Sequence, residues 1–158
     1  MYRFSSHEVS ALIRFSALFL SSILVTLPMA VANPQTDAVL ADIDARYDQT
    51  SDVAHQIWKW AEPGYQETKS SNLLASELEA AGFSIERGVA EIPTAFIASY
   101  KQGDGPVIAV LGEYDALPGF SQAAKPFRSP LPGRLSGHAC GHHMFGAGSM
   151  SAVIAIKD

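Results

Sequence analysis

The sequence contains a single cysteine, Cys140, among 158 residues. One cysteine cannot form a disulfide within the chain, so its thiol must be buried, bound to a metal or left reactive. Internal repeats and low-complexity segments are missing, and so is any basic cluster, since 11 Lys and Arg stand against 16 Asp and Glu. An acidic chain without a basic patch is a poor binder of nucleic acid, and we expect no nucleic-acid partner.

Long apolar runs are also scarce, and the most evident one lies near the amino terminus. Arg3 and Arg14 precede the apolar residues 15–30, and the segment closes with the small residues Ala30-Val31-Ala32. This layout is typical of a secretory signal. The alternative is an uncleaved membrane anchor, but an apolar core of about 16 residues is short for a span. We predict a signal peptide over residues 1–32, an exported chain that is periplasmic or secreted, and no stable membrane span after cleavage.

The mature part, residues 33–158, predicts a mixed α/β domain. Apolar residues recur at helical spacing in two regions, and a polar patch at 48–52 offers a place where the first helix could break. Strand candidates follow, and Val107–Leu111 is continuously apolar, as expected of a central strand covered on both faces. We predict two helices, about three strands of a mixed sheet and a C-terminal helix packed on it. The helices are expected at 38–61, 68–81 (ending at Gly82) and 144–156, and the strands at 83–89, 95–100 and 107–114.

The densest chemical signal is the stretch Gly137–His143, which holds the cysteine and three of the five histidines. Thiolate and neutral imidazole are ligands that zinc prefers, and Gly141 allows the backbone to turn Cys140 and His142 toward one ion. The alternatives are an inert cysteine beside a core histidine, and a cysteine nucleophile paired with a histidine. Residues this close in sequence seldom reach the geometry of a nucleophile and its base, so the pattern favours a metal site.

Acidic residues follow the third strand candidate. Glu113 and Asp115 are two residues apart, so their side chains point the same way on an extended backbone. Ligands bind outside the carboxyl ends of strands in open α/β sheets, although a solvated strand end would also be acidic. The connection of about twenty residues that follows is long enough to be functional or disordered. We interpret it as a loop over a site, in which Lys125, Arg128 and Arg134 either meet a substrate carboxylate or are solvated.

Small residues open the last predicted helix. Gly146–Ser151 looks like a dinucleotide-binding loop, but the third glycine is missing and no clear strand immediately precedes it. We therefore attribute the small residues to close packing of the helix.

Three motifs, in this order, resemble one family. Together they are similar to the amino-terminal part of the dinuclear metal amidohydrolases and carboxypeptidases related to aminoacylase, closest to the aminobenzoyl-glutamate hydrolase branch. The resemblance covers the whole mature chain and implies that residues 33–158 are part of an α/β catalytic domain. The motifs are Trp60-Ala61-Glu62-Pro63-Gly64-Tyr65-Gln66-Glu67, Gly112-Glu113-Tyr114-Asp115-Ala116-Leu117-Pro118-Gly119 and Gly137-His138-Ala139-Cys140-Gly141-His142.

The resemblance implies two divalent ions, zinc or manganese, and hydrolysis of the amide bond of a small substrate such as an N-acyl amino acid, a dipeptide-like molecule or aminobenzoyl-glutamate. Cys140 would be a metal ligand that bridges the ions, and His142 would bind one of them. Asp115 matches the aspartate of the family's His-x-Asp motif and would orient a ligand in the catalytic site. Glu113 stands at the histidine position of that motif, and His143 departs from the usual Asp or Asn. A homodimer is the form we consider for the full-length protein.

The family's general base is a glutamate of an acidic pair downstream of the Cys-Gly-His helix, followed by further ligands and a lid domain. This sequence ends at Asp158, before such residues. We therefore expect an amino-terminal fragment with weak metal affinity and no appreciable hydrolase activity of its own. The alternative is a non-catalytic remnant, or a module that binds metal or another protein.

Overall fold

Four α-helices, one short 3₁₀ helix (Val89–Glu91) and two small sheets form the part of the chain that the computed structural model describes, residues 33–158. The predicted signal segment, residues 1–32, lies outside the described residues. Within residues 33–158, no helix combines the length and the hydropathy that a membrane crossing requires. The helices are α1 (Pro34–Ala45), α2 (Tyr47–Trp60), α3 (Thr68–Ala80) and α4 (His142–Lys157), and the strands are β1 (Ser84–Arg87), β2 (Phe96–Ser99), β3 (Leu117–Pro118) and β4 (Ser136–Gly137).

The helical region predicted at 38–61 is present, but it is divided at Arg46 and not within the polar patch 48–52. The N–H of Arg46 is shared between the carbonyls of Asp42 and Ile43, at 3.1 and 3.2 Å, and this residue leaves regular helical geometry. The polar patch is exposed or half-exposed on α2. Gln49 donates its side-chain N–H to Glu77 Oε2 at 2.5 Å and the Ser51 hydroxyl contacts His55 Nδ1 at 3.4 Å, so these side chains do not compete with the helical hydrogen bonds and the helix continues.

Helix α3 ends at the predicted glycine. Gly82 has a φ of +92°, a backbone conformation that glycine adopts without steric cost. Its N–H bonds to Glu79 O at 2.9 Å, and the N–H of Phe83 bonds to Leu78 O at 3.0 Å. This is the Schellman pattern of helix termination, and the side chains of Phe83 and Leu78 are both buried in the core.

The first two strand predictions are confirmed. β1 and β2 pair antiparallel, with Ile85 opposite Ala98 and Arg87 opposite Phe96. Alternate residues of this hairpin, Ile85, Phe96 and Ala98, pack against the core, as the twofold period of a strand requires. The mixed α/β class is therefore confirmed. The centre of the core lies among α2, α3 and α4 and consists of Val53, Ile57, Leu74, Leu78, Phe83, Ala147, Met150 and Ile154.

The third strand prediction is wrong for the described structure. Residues 107–114 belong to no strand, and the side chains of Val107 and Ile108 are 97% and 85% exposed. A strand that is buried on both faces needs a neighbouring strand at its edge, and none of residues 33–158 pairs with this segment. The apolar run therefore lies open to solvent.

Small residues bring α4 close to the segment that follows this run, which confirms their predicted role in packing. A Cβ built on Gly146 would lie only 2.8 Å from the backbone oxygen of Glu113 and 3.3 Å from the Cβ of Tyr114. One turn later, the Ser149 hydroxyl donates a hydrogen bond to Leu111 O at 2.8 Å. Helix α4 is thus fixed against the backbone that carries the acidic residues.

Candidate metal centre

His142 lies between two carboxylates. Its Nδ1 is 2.7 Å from Asp115 Oδ1, and its Nε2 is 2.9 Å from Glu113 Oε2. One candidate ligand atom from each of the three residues lies within 4.8 Å of the others. The structure therefore brings together His142 and Asp115, which the sequence proposed as site residues, and adds Glu113.

Backbone contacts hold the acidic segment in this place. Ala116, which is buried, donates its N–H to Glu62 O at 2.8 Å and forms a parallel bridge with Pro63. The next residues form strand β3, in which Leu117 is opposite Gly137 of β4. Because β4 leads directly into the Cys/His segment, these contacts join all three sequence motifs around the start of α4.

Gly137 is required by the close approach of β4 to the backbone of Phe120, in the loop after β3. A Cβ at this position would lie 2.0 Å from the backbone oxygen of Phe120, a distance that no side chain can accept. The N–H of Gly119 bonds to Leu135 O at 2.6 Å and closes the base of the intervening loop. The loop therefore begins and ends at one fixed point beside the cluster.

Both glutamates of the first motif have structural partners. The Glu62 carboxylate accepts the N–H of Lys69 at 3.1 Å, and the N–H and hydroxyl of Ser70 at 2.9 and 2.8 Å, so it caps the first turn of α3. Glu67, 7% exposed, accepts the hydroxyl of Thr94 at 2.6 Å. Neither glutamate belongs to the metal-ligand cluster, and the contacts of both hold the structure beside it.

Cys140 is exposed and lies outside the cluster of three ligands. It is in a tight turn, in which the N–H of Gly141 bonds to His138 O at 3.1 Å and Gly141 has a φ of +79°. The glycine thus turns the chain as the sequence suggested, but it directs Cys140 to the surface and His142 into the first turn of α4. The role of Cys140 as a metal ligand stays a prediction.

His138 and His143 form an imidazole pair near this cluster in the sequence, with ring centroids 4.9 Å apart. His138 Nε2 lies 3.1 Å from Ile57 O, and because a carbonyl only accepts, the proton must be on Nε2. The Nδ1 atoms of both rings are buried without a hydrogen-bond partner among the described residues. Burial lowers the pKa of His143 to about 4, helped by the charges of His138 and His55, and burial also lowers the pKa of His138. Both rings are therefore neutral at pH 7.

The three clustered residues fit a divalent metal ion. Imidazole nitrogen and carboxylate oxygen are both ligands of zinc and manganese, so His142 and Glu113 would bind the ion directly. A carboxylate that accepts the second N–H of a ligating histidine fixes its ring, and Asp115 stands in that position at Nδ1. Sequence reasoning left Glu113 without a role, although its spacing of two residues from Asp115 was the signal that the two carboxylates share a direction.

Comparison with known proteins gives one consistent class of relative, although no protein-family model matches the chain. The chain is 49% identical over 118 residues to a subunit of p-aminobenzoyl-glutamate hydrolase from Escherichia coli, and the match covers 73% of the chain and 24% of the relative. It is 30% identical over 102 residues to thermostable carboxypeptidase 1 of Saccharolobus solfataricus (64% of the chain, 25% of the relative). It is 29% identical over 125 residues to IAA-amino acid hydrolase ILR1-like 5 of Arabidopsis thaliana (79% and 28%). The chain thus spans about a quarter of the length of these relatives.

Proposed function

Because the chain belongs to the family of amidohydrolases and carboxypeptidases related to aminoacylase, we propose that it supplies part of a metal-dependent site that hydrolyses the amide bond of an N-acyl amino acid. The observation that carries this proposal is the position of His142 between Glu113 and Asp115. The names of two relatives support the substrate class, since p-aminobenzoyl-glutamate and IAA-amino acid both denote an acyl group joined to an amino acid.

The two ring nitrogens of His142 have different roles in this proposal. Asp115 Oδ1 accepts the Nδ1 proton at 2.7 Å and fixes the ring, which leaves Nε2 as the ligand atom on the side of Glu113. The two carboxylates concentrate negative charge at this point and favour a bound cation. A divalent ion held there supplies Lewis-acid chemistry, since it polarises a carbonyl group and makes water more acidic.

We extend the proposal to two divalent ions, zinc or manganese, for which Cys140 would be a further ligand. Support for this part comes from the family resemblance of the Gly137–His142 motif. Cys140 is three residues after the end of β4 and two before His142, in a turn that is open to solvent. The proposal requires this turn to move so that the Cys140 thiol reaches the cluster.

Metal binding tests the site directly. Equilibrium dialysis against Zn²⁺ or Mn²⁺ should show that His142→Ala loses most of the bound metal and that Asp115→Asn lowers the affinity about 10- to 100-fold. Cys140→Ala should reduce the number of bound ions. His55→Ala is the matched control, because His55 is an exposed histidine of α2 whose ring contacts Ser51 at 3.4 Å and lies outside the cluster. Unchanged metal content in His142→Ala would overturn the assignment.

The reaction is tested with the full-length protein purified from its own cells, because we expect no appreciable hydrolase activity from the 158-residue chain alone. We expect release of the free amino acid from N-acyl amino acids, loss of this activity on chelation, and its return when Zn²⁺ or Mn²⁺ is added. A preparation that binds metal at His142 but hydrolyses no N-acyl amino acid would refute the proposed reaction and leave the metal site in place.

The homodimer that we propose for the full-length protein is tested on the same material by measuring its mass with light scattering.

Export completes the proposal. It is supported by the basic, apolar and small-x-small pattern of residues 1–32. Amino-terminal sequencing of the protein from its host should find a chain that begins near Asn33 in the periplasmic or secreted fraction. A cell-associated protein that still begins at Met1 would contradict it.

A further inference from the structure

A cavity of about 410 Å³ lies beside the candidate metal centre. It is formed by helix α2, the loop after β3 and the turn before α4, and its walls include Trp58, Phe120, Arg128, Arg134 and His138. We call it the arginine cavity. Its volume is within the range of about 300–1,000 Å³ that is usual for sites of small ligands. Two guanidinium groups and no acidic residue line it, so its local charge is positive in a chain whose net charge is −5.

The two arginines of the cavity have no carboxylate partner among residues 33–158. Arg134 instead lies over the ring of Trp58, with its guanidinium carbon 5.3 Å from the ring centroid. By contrast, Arg46 pairs with both Asp42 and Asp158. Cation–π stacking holds a guanidinium in place through its face and leaves the N–H groups at its edge free to donate. Arg134 is therefore positioned but not neutralised.

The loop that carries Arg128 is held by its own hydrogen bonds. The Gln122 side chain donates to Phe127 O at 2.7 Å and accepts the N–H of Ser129 at 2.9 Å. The hydroxyl of Ser121 accepts the N–H of Leu131 at 3.0 Å. These bonds span both sides of Arg128 and give it a defined place at the rim, although its side chain is exposed.

The arginine cavity and the metal-ligand cluster share a boundary. His138 lines the cavity four residues before His142, and Gly119 lines it four residues after Asp115. A ligand with an anionic group at Arg134 therefore lies in a cavity whose wall is continuous in sequence with the segments that carry Asp115 and His142.

From this arrangement we propose that the arginine cavity binds the carboxylate of a small organic acid, with Arg134 as its principal contact and Arg128 as the second. A guanidinium fork matches the two oxygens of a carboxylate, and such charge-assisted pairs are short and strong. The inference deepens the proposed function and rests on it for one point, that the acid is the amino acid part of an amide whose scissile bond faces the metal centre.

The test measures binding without metal, so that it does not depend on hydrolysis. Isothermal titration calorimetry in the presence of EDTA compares N-acetyl-L-leucine with N-acetyl-L-leucinamide, which has the same shape but no carboxylate. We expect the acid to bind at least about tenfold more tightly than the amide, and Arg134→Gln to weaken acid binding by about tenfold or more. Arg134→Lys keeps the charge but loses the fork, and should fall between Arg134→Gln and the unmodified chain.

Lys125→Gln is the matched control. Lys125 lies in the same loop, above the Phe127 ring at 5.6 Å, but does not line the cavity. Its loss removes one positive charge from the loop and should leave acid binding within about twofold, since an exposed charge contributes little. Circular dichroism confirms that each variant is folded before binding is measured.

Fluorescence locates the ligand. Trp58 is one of only two tryptophans, so Trp60→Phe leaves it as the single reporter in the cavity wall. Added N-acetyl-L-leucine should change its emission in step with the calorimetric curve.

The outcomes separate the two proposals. Three results would overturn the carboxylate site. They are equal affinity for the acid and the amide, unchanged affinity of Arg134→Gln for the acid, and binding of inorganic phosphate as tight as that of the acid which it displaces. If carboxylate binding holds while His142→Ala keeps its metal, the proposed function fails and the arginine cavity stands. If metal binding depends on His142 but the acid does not bind, the carboxylate site fails and the metal site stands.

Discussion

A single methyl group added at Gly146 should separate helix α4 from the acidic segment. In Gly146→Ala the new Cβ would lie 2.8 Å from the backbone oxygen of Glu113 and 3.2 Å from the Leu74 Cδ1. A backbone oxygen cannot rotate away as a side chain can, so the helix or the segment must shift. Gly148 provides the matched control, because a Cβ there meets nothing within 4 Å.

The two substitutions differ only in this contact. Replacing glycine by alanine inside a helix gains about 1 kcal/mol in both variants. Overpacking of a close contact costs about 1–3 kcal/mol, and only Gly146→Ala incurs it. We therefore expect Gly148→Ala to raise the free energy of unfolding by about 1 kcal/mol, and Gly146→Ala to lie about 1–3 kcal/mol below Gly148→Ala.

Urea denaturation of both variants, followed by circular dichroism, measures this difference as a change in midpoint at constant slope. Metal binding provides a second reading, because a shift of the Glu113 backbone moves its carboxylate away from His142, now 2.9 Å distant. Gly146→Ala should therefore bind metal more weakly than Gly148→Ala. Equal stability and equal metal affinity of the two variants would refute the argument that this glycine sets the distance between α4 and the acidic residues.

Three further predictions concern the stability of the chain. Glu62→Ala removes the carboxylate that caps α3 and should cost about 1 kcal/mol in urea denaturation, whereas Glu79→Ala, an exposed position of the same helix, should cost little; equal losses would contradict the capping role. Thr94→Val leaves the buried carboxylate of Glu67 without its hydroxyl donor and should cost about 1–3 kcal/mol; an unchanged midpoint would show that the bond contributes nothing. In EDTA, His143 should make stability depend on pH, since its pKa falls from the ordinary 6.5 to about 4 on folding. The unfolded chain then takes up the proton first, so stability is full above pH 6.5 and declines as the pH falls toward 4, and His143→Gln should show a shallower decline.

The sequence predicts those elements of the fold whose pattern is local. Helix α3 ends at Gly82 because a glycine follows the last apolar turn, and both features can be read from neighbouring residues. The alternation in β1 and β2 is local in the same way. Val107–Leu111 shows the limit, since its composition indicates a buried strand but burial depends on neighbours that composition does not contain.

In the candidate site, too, the local features can be predicted from the sequence and the long-range contacts cannot. The spacing of Glu113 and Asp115 predicts that both carboxylates point in one direction, and their contacts with His142 agree. That they meet His142 depends on the close packing of Gly146 and on the pairing of Leu117 with Gly137, which are contacts between distant parts of the chain. The surface position of Cys140 has the same origin, because it results from the turn that β4 and α4 impose on the residues between them.

The exposed run Val107–Leu111 also has a consequence for the behaviour of the chain in solution. These five residues contain no charge and no proline, and the segment belongs to no strand among residues 33–158. Uncharged apolar segments with free backbone groups are the ones that recruit other chains into intermolecular β-sheets. Self-association of this chain should therefore begin at Val107–Leu111 and increase with protein concentration. We expect this association to limit the solubility of the chain at temperatures below those that unfold it.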